Sequence, residues 1–165
     1  MLDAEYKRIV LSQFDAAFVM LEECIRKCPA AKWRSKVGNW KFWHVAYHAI
    51  YGVDGYTVRK TSDWKPHPKF QPGGEADVMN EYPTQEISKR VMLEYLVHCR
   101  KKLHASVKRE TAASLRRDAG FPWLHFTRAE LLVYNLRHFQ HHIGPLGALL
   151  RRAKVKTKWR RDAKE

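Results

Sequence analysis

The sequence predicts an all-α domain, most simply a four-helix bundle with one long connection between helices two and three. Apolar residues recur at the spacing of a helix face in separate segments, Pro and Gly gather between those segments, and no hairpin signal is visible. With 165 residues, 45% of them hydrophobic and 12% aromatic, the chain can build one core without staples, which excludes wholesale disorder. Residues 1–150 are expected to form the single domain and 151–165 a basic tail.

Helix one is predicted from Asp3 to about Lys27, where Ile9, Val10, Phe14, Ala17, Phe18, Leu21 and Ile25 mark one face before Pro29 stops it. Helix two is predicted over Trp40–Val58, whose only formal charges are Lys41 and Asp54, so it should be buried on most sides. Its aromatic series, Trp40, Phe42, Trp43, Tyr47, Tyr51 and Tyr56, lacks the clean alternation of a strand. Residues 61–84 hold Pro66, Pro68, Pro72, Gly73, Gly74 and Pro83 and read as a long connection placed to shape or cover a site. Thr84 offers an N-cap for helix three, with Ile87, Val91, Tyr95 and Cys99 on its stripe and an end near Ser114. Gly120, Phe121 and Pro122 interrupt the chain, and Thr127-Arg-Ala-Glu130 is a capping box that starts helix four. From Arg151 to Glu165, eight Lys or Arg stand against two acids, the composition of a solvated tail or helix extension.

The net charge of +14 excludes an acidic solvating protein and favours anionic partners. Arg100, Lys101, Lys102, Lys108, Arg109, Arg116 and Arg117, with the tail, offer a surface for a phosphate backbone, yet no nucleic-acid reading motif is present and nucleic acid is disfavoured. Cys24, Cys28 and Cys99 are odd in number and accompany no apolar leader, so a reducing, cytoplasmic setting is expected. Cys24 and Cys28 read as small buried hydrophobes rather than a thiol metal site. No uncharged stretch reaches the roughly 20 residues of a bilayer crossing, so no membrane partner is expected.

On helix four, Leu131, Asn135, His138, His142, Leu146 and Leu149 form one stripe, and Leu132, Leu136, Phe139, Ile143 and Leu150 form its neighbour. His138 and His142 therefore interrupt a buried surface, while His141 falls on the polar edge with Glu130, Tyr134 and Arg137. Two inward imidazoles one turn apart can share a metal ion, or can be core histidines bonded to backbone, Tyr or Asn groups. Helix two adds His44 and His48, again one turn apart, and spacing alone does not choose between them or between three ligands and four.

Trp40-Lys-Phe-Trp-His-Val-Ala-Tyr-His48-Ala-Ile-Tyr-Gly resembles the second-helix motif of DinB-like proteins, a tryptophan followed eight residues later by a histidine. Leu131-Leu-Val-Tyr-Asn-Leu-Arg-His138-Phe-Gln-His-His142-Ile-Gly resembles their last-helix motif. The resemblance implies a four-helix bundle, often a homodimer, with one divalent metal ion, commonly nickel or zinc. Its ligands would be His48, His138 and His142, leaving His44 buried beside them. Pro145 departs from the pattern, where a polar residue such as Gln is common, and a kink beyond the ligands is expected because proline frees the carbonyl of His141.

Family members with known chemistry include thiol-dependent transferases and isomerases. The resemblance thus implies a metal-dependent enzyme, a hydrolase or thiol transferase acting on a small molecule, with a metal-containing small-molecule binder as the alternative and a basic nucleic-acid-binding helical protein behind it. Three neutral histidines leave an ion open positions for water or substrate. Asn135, Tyr47, Tyr51 and Asp54 are candidates to orient the imidazoles, and Asp54 is either a general base or, more simply, a surface or capping group beside Gly55. Because binding needs neutral imidazole, metal occupancy is expected to fall near pH 6.

Overall fold

A computed structural model describes residues 2–65, 67–71 and 83–164. The expected all-α character is observed, with helices α1 Leu2–Lys27, α2 Phe42–Thr57, α3 Lys89–Arg109, α4 Ala112–Leu115 and α5 Arg128–Arg152. Helix α1 packs on α3 and α5, and α2 packs on the same two helices, so the two ends of the element order share one core. Most of the predicted α1 face is buried, including Phe14, Phe18, Leu21 and Ile25, but Ile9 is 46% exposed. Phe14 and Phe18 pack against Phe139 of α5, which fixes α1 beneath the histidine-bearing helix.

A small hairpin precedes α2, contrary to the absence of strands expected from the sequence. Strands β1 Lys36–Val37 and β2 Trp40–Lys41 pair antiparallel, with Val37 opposite Trp40. The intervening loop is Gly38-Asn39, and Gly38 takes φ +62°, the left-handed backbone that a two-residue loop requires at its first position. Helix two consequently starts at Phe42 rather than Trp40. It is buried on most sides, as its low charge predicts.

Helix α3 starts four residues later than expected, because Ser88 and not Thr84 accepts the free amide of Val91. The indole of Trp33 donates to the carbonyl of Ile87 at 3.2 Å, holding the preceding residue outside the helix. At its other end α3 stops at Arg109, and a separate capping box of Thr111 and Ser114 opens the single turn of α4. The Thr127–Glu130 capping box of α5 forms as predicted.

The start of α5 is also pinned by a buried cation that the sequence reading passed over. Arg128 donates through Nε to Glu110 at 3.1 Å, and its remaining nitrogens reach the carbonyls of Tyr56, Thr57 and Val58 at the end of α2. Carbonyls left over at a helix C-terminus need such donors, and here one side chain joins the ends of α2, α3 and α5. Both partners of the Arg128–Glu110 pair are nearly fully buried.

Helix α5 remains helical through Pro145, which is exposed. A solvent-facing position lets water satisfy the carbonyl that proline leaves free. After α5, Lys154 takes φ +60°, and the amides of Lys154 and Val155 return to the carbonyls of Arg151 and Leu150. This turn sends the tail back along α1, where the Lys158 amide and the Arg160 side chain meet Glu23. The tail is thus engaged with α1 rather than fully solvated.

Candidate metal centre

Helix packing brings His48 of α2 together with His138 and His142 of α5, and their candidate ligand atoms all lie within 4.8 Å of one another. His138 Nε2 stands 3.2 Å from Nε2 of His48 and 3.2 Å from Nε2 of His142. The rings meet steeply, at 62° to 78°, so three ring edges rather than stacked faces turn toward one point. Two nitrogens bound to a tetrahedral ion at about 2.0–2.1 Å lie roughly 3.3 Å apart, and the two spacings from His138 fit that requirement.

Burial is the main cause that pushes His138 down to about 4 and His142 down to about 3, with the neighbouring His48 adding to both. Both imidazoles therefore stay neutral in mild acid, with lone pairs available to a cation. The proton competition expected near pH 6 moves to lower pH for this physical reason.

A glycine makes the convergence possible. A Cβ built on Gly52, one turn after His48, would stand 2.6 Å from Cε1 and 2.7 Å from Nδ1 of His138. The His138 ring therefore rests directly on the α2 backbone. The sequence signal was a glycine in the interior of a helix, which usually has a packing reason, but only the position of α5 reveals it.

Of the groups expected to orient the histidines, Tyr51 shares a cavity wall with His48 and His138, while Tyr47 and Asp54 are placed elsewhere. Asn135 is fully buried one turn before His138, yet none of the described protein groups bonds its amide, and His138 Nδ1 likewise has no protein partner among them. Tyr47 is packed between Tyr51 and Tyr95, with its hydroxyl buried and its pKa raised by burial. Asp54 is neither a surface cap nor a base at the centre: it is 2% exposed, accepts from Tyr95 at 2.8 Å and pairs with Lys102 on α3. His44 is buried against Trp43 and stays outside the three-histidine group. His141 is exposed, as expected, with its ring edge-on to His142.

His48 and His138 line a cavity of about 280 Å³ whose remaining walls are mostly aromatic. Tyr51, Tyr56 and Trp64 come from α2 and the chain after it, while Phe121 and Trp123 come from the loop before α5. These two connections are tied together where the Thr61 amide donates to the Gly120 carbonyl at 3.2 Å. Thr61 and Trp64 bear out a wall-forming role for the start of the 61–84 connection, while residues 66 and 72–82 lie outside the described residues.

The family model of the DinB superfamily matches residues 13–146. The chain belongs to the DinB superfamily. No curated protein and no solved structure matches it significantly. In this DinB-superfamily chain the matched span contains all three converging histidines and Gly52.

The other sequence-level candidates are not metal sites among the described residues. Cys24 and Cys28 are buried, and burial raises their thiols to about 12 and about 11. Arg100 is paired with Asp15 and Lys102 with Asp54, which withdraws two members of the supposed basic surface. No described helix is long and apolar enough to cross a membrane.

Proposed function

We propose that the chain is a divalent-metal-dependent enzyme built as a DinB-type four-helix bundle, in which His48, His138 and His142 hold nickel or zinc beside a small-molecule pocket. The observation that carries this reading is the convergence of three imidazoles, two of which, His48 and His138, line a cavity. Bound there, a divalent ion supplies a Lewis acid that lowers the pKa of water or a thiol and polarises a carbonyl. The protein contributes neutral imidazoles, a glycine shelf for His138 and aromatic walls beside the centre.

Among the described residues no carboxylate lines the cavity, and Asp54 is committed to Lys102 and Tyr95. That favours a nucleophile already partly anionic near neutral pH, such as a thiol of pKa near 8.5, over water needing a protein base. Thiol transfer is therefore the better supported reaction type, and hydrolysis the weaker. The same missing base also supports a metal-containing binder without turnover as a second reading. Three buried, unpaired cysteines suit a reducing, cytoplasmic compartment.

The test uses protein purified without a histidine tag. Thiol-conjugation and small hydrolytic substrates are screened against metal-loaded protein, metal-free protein and His142→Ala. Turnover should vanish in both controls and return when metal is restored to the metal-free wild type. Turnover that persists in fully demetallated protein contradicts the proposal, and saturable ligand binding without turnover selects the second reading.

A further inference from the structure

The cavity beside the three histidines differs in character from the rest of the molecule. The chain carries +14, yet among the described residues no Lys, Arg, Asp or Glu contributes to the cavity wall. Composition alone points to anionic partners, but the described residues that face this cavity carry no formal charge. Tyr51 and Trp64 meet edge to face at 5.1 Å, Tyr56 and Phe121 at 5.2 Å, and Phe121 and Trp123 at 5.6 Å. These three pairs give the cavity aromatic walls from both connections. Trp123 is 58% exposed although it belongs to the wall, so it offers ring surface at the rim for a ligand to cover.

Size narrows the occupant further. An apolar cavity of about 150 Å³ holds benzene, and ligand pockets begin near 300 Å³. The 280 Å³ observed here therefore suits one ring with a substituent, not a nucleotide or a peptide. His48 and His138 stand on the same wall, so one end of such a molecule reaches the histidine centre.

We propose that this pocket selects a small, flat, uncharged aromatic molecule that carries one nitrogen, oxygen or sulfur donor toward the three histidines, with Trp64 and Trp123 determining the preference. The inference rests on the metal reading for the donor end, and on the aromatic walls alone for the ring end. At the ring end, away from the histidine centre, an anionic group would exchange water for aromatic faces, and no cation among the described lining residues would meet it. A neutral ring loses little hydration and gains aromatic contacts, each worth up to about a tenfold preference.

The experiment compares imidazole, 4-phenylimidazole, 4-(1H-imidazol-4-yl)benzoate and 4-(1H-imidazol-4-yl)benzylamine on cobalt-loaded and metal-free protein. Calorimetry gives affinity, and the visible cobalt spectrum reports whether the donor reaches the ion. 4-Phenylimidazole should bind about tenfold or more tightly than imidazole, the benzoate and the benzylamine should gain no such advantage, and Trp64→Ala or Trp123→Ala should reduce the phenyl preference several-fold, lowering 4-phenylimidazole affinity more than imidazole affinity. Equal binding of phenylimidazole and imidazole, tighter binding of the charged analogues, or a preference indifferent to both tryptophans overturns the inference. Failure to take up cobalt overturns the metal reading instead, and the preference for 4-phenylimidazole over the benzoate in metal-free protein then judges the pocket.

Discussion

Replacing Gly52 by alanine adds a single methyl group, and its consequences separate a metal centre from ordinary helix packing. In an exposed helix interior, Gly→Ala stabilises by about 1 kcal/mol because glycine has the greater backbone freedom to lose. At Gly52 the new Cβ would lie 2.6 Å from His138 Cε1, whereas ordinary carbon contacts begin near 3.5 Å, so the ring must retreat by roughly 0.9 Å. Metal–nitrogen distances tolerate only about ±0.2 Å. His138 cannot make that retreat and still bind with His48 and His142, and loss of its position should weaken metal binding by about 100-fold or more.

Gly55 provides the control. It borders the same cavity on the same helix, and a Cβ there meets nothing within 4 Å. Gly55→Ala should keep wild-type metal affinity and gain up to about 1 kcal/mol of stability. Competition with a chromophoric chelator measures affinity, and thermal unfolding of the metal-free proteins measures stability. Wild-type affinity in Gly52→Ala, or equal losses in both variants, refutes the assignment of His138 to the centre.

Arg128→Ala should destabilise the fold by about 3–5 kcal/mol in urea unfolding, since it strands buried Glu110 and the carbonyls at the end of α2; a cost below 1 kcal/mol contradicts that placement. Asp54→Asn should lower stability while leaving metal content at the wild-type level, because Asp54 faces Lys102 and Tyr95; loss of metal from a folded Asp54→Asn protein argues against this separation. Since His138 and His142 are depressed to about 4 and about 3 in the folded state, the unfolded chain binds more protons between pH 6.5 and those values. Metal-free protein should therefore lose stability as pH falls from 6.5 toward 4, and the metal should still be bound at pH 5.5, as followed by unfolding and dialysis; half-release by pH 6 contradicts the burial argument.

What the sequence made legible was local or periodic. Thr127 and Glu130 lie three residues apart, and their capping geometry needs no tertiary information. The stripe through His138 and His142 follows from the helical repeat, and family resemblance separated His48 from His44 where spacing left both open. The Gly38-Asn39 loop was masked because β2 runs straight into the aromatic start of α2. Thr84 and Ser88 offer the same capping chemistry, and the Trp33–Ile87 bond helps decide between them.

The remaining features depend on contacts between distant segments. Arg128 at the start of a helix reads as a solvated cation until Glu110 and the end of α2 surround it. Asp54 beside Gly55 reads as a turn residue until α3 brings Lys102 to it. The basic tail resembles a solvated segment, but the left-handed turn at Lys154 directs it toward Glu23. Gly52 was visible within the second-helix motif, yet its function exists only because His138 lies across it.

The central claim is that His48, His138 and His142 jointly hold one divalent ion. Anomalous scattering from crystals of tag-free protein, collected on both sides of the nickel and zinc absorption edges, tests it most directly. One peak per chain is expected, about 2.1 Å from Nε2 of each of the three histidines. No peak in metal-supplemented crystals, or a peak bound by His44 or the cysteines in place of this group, contradicts it.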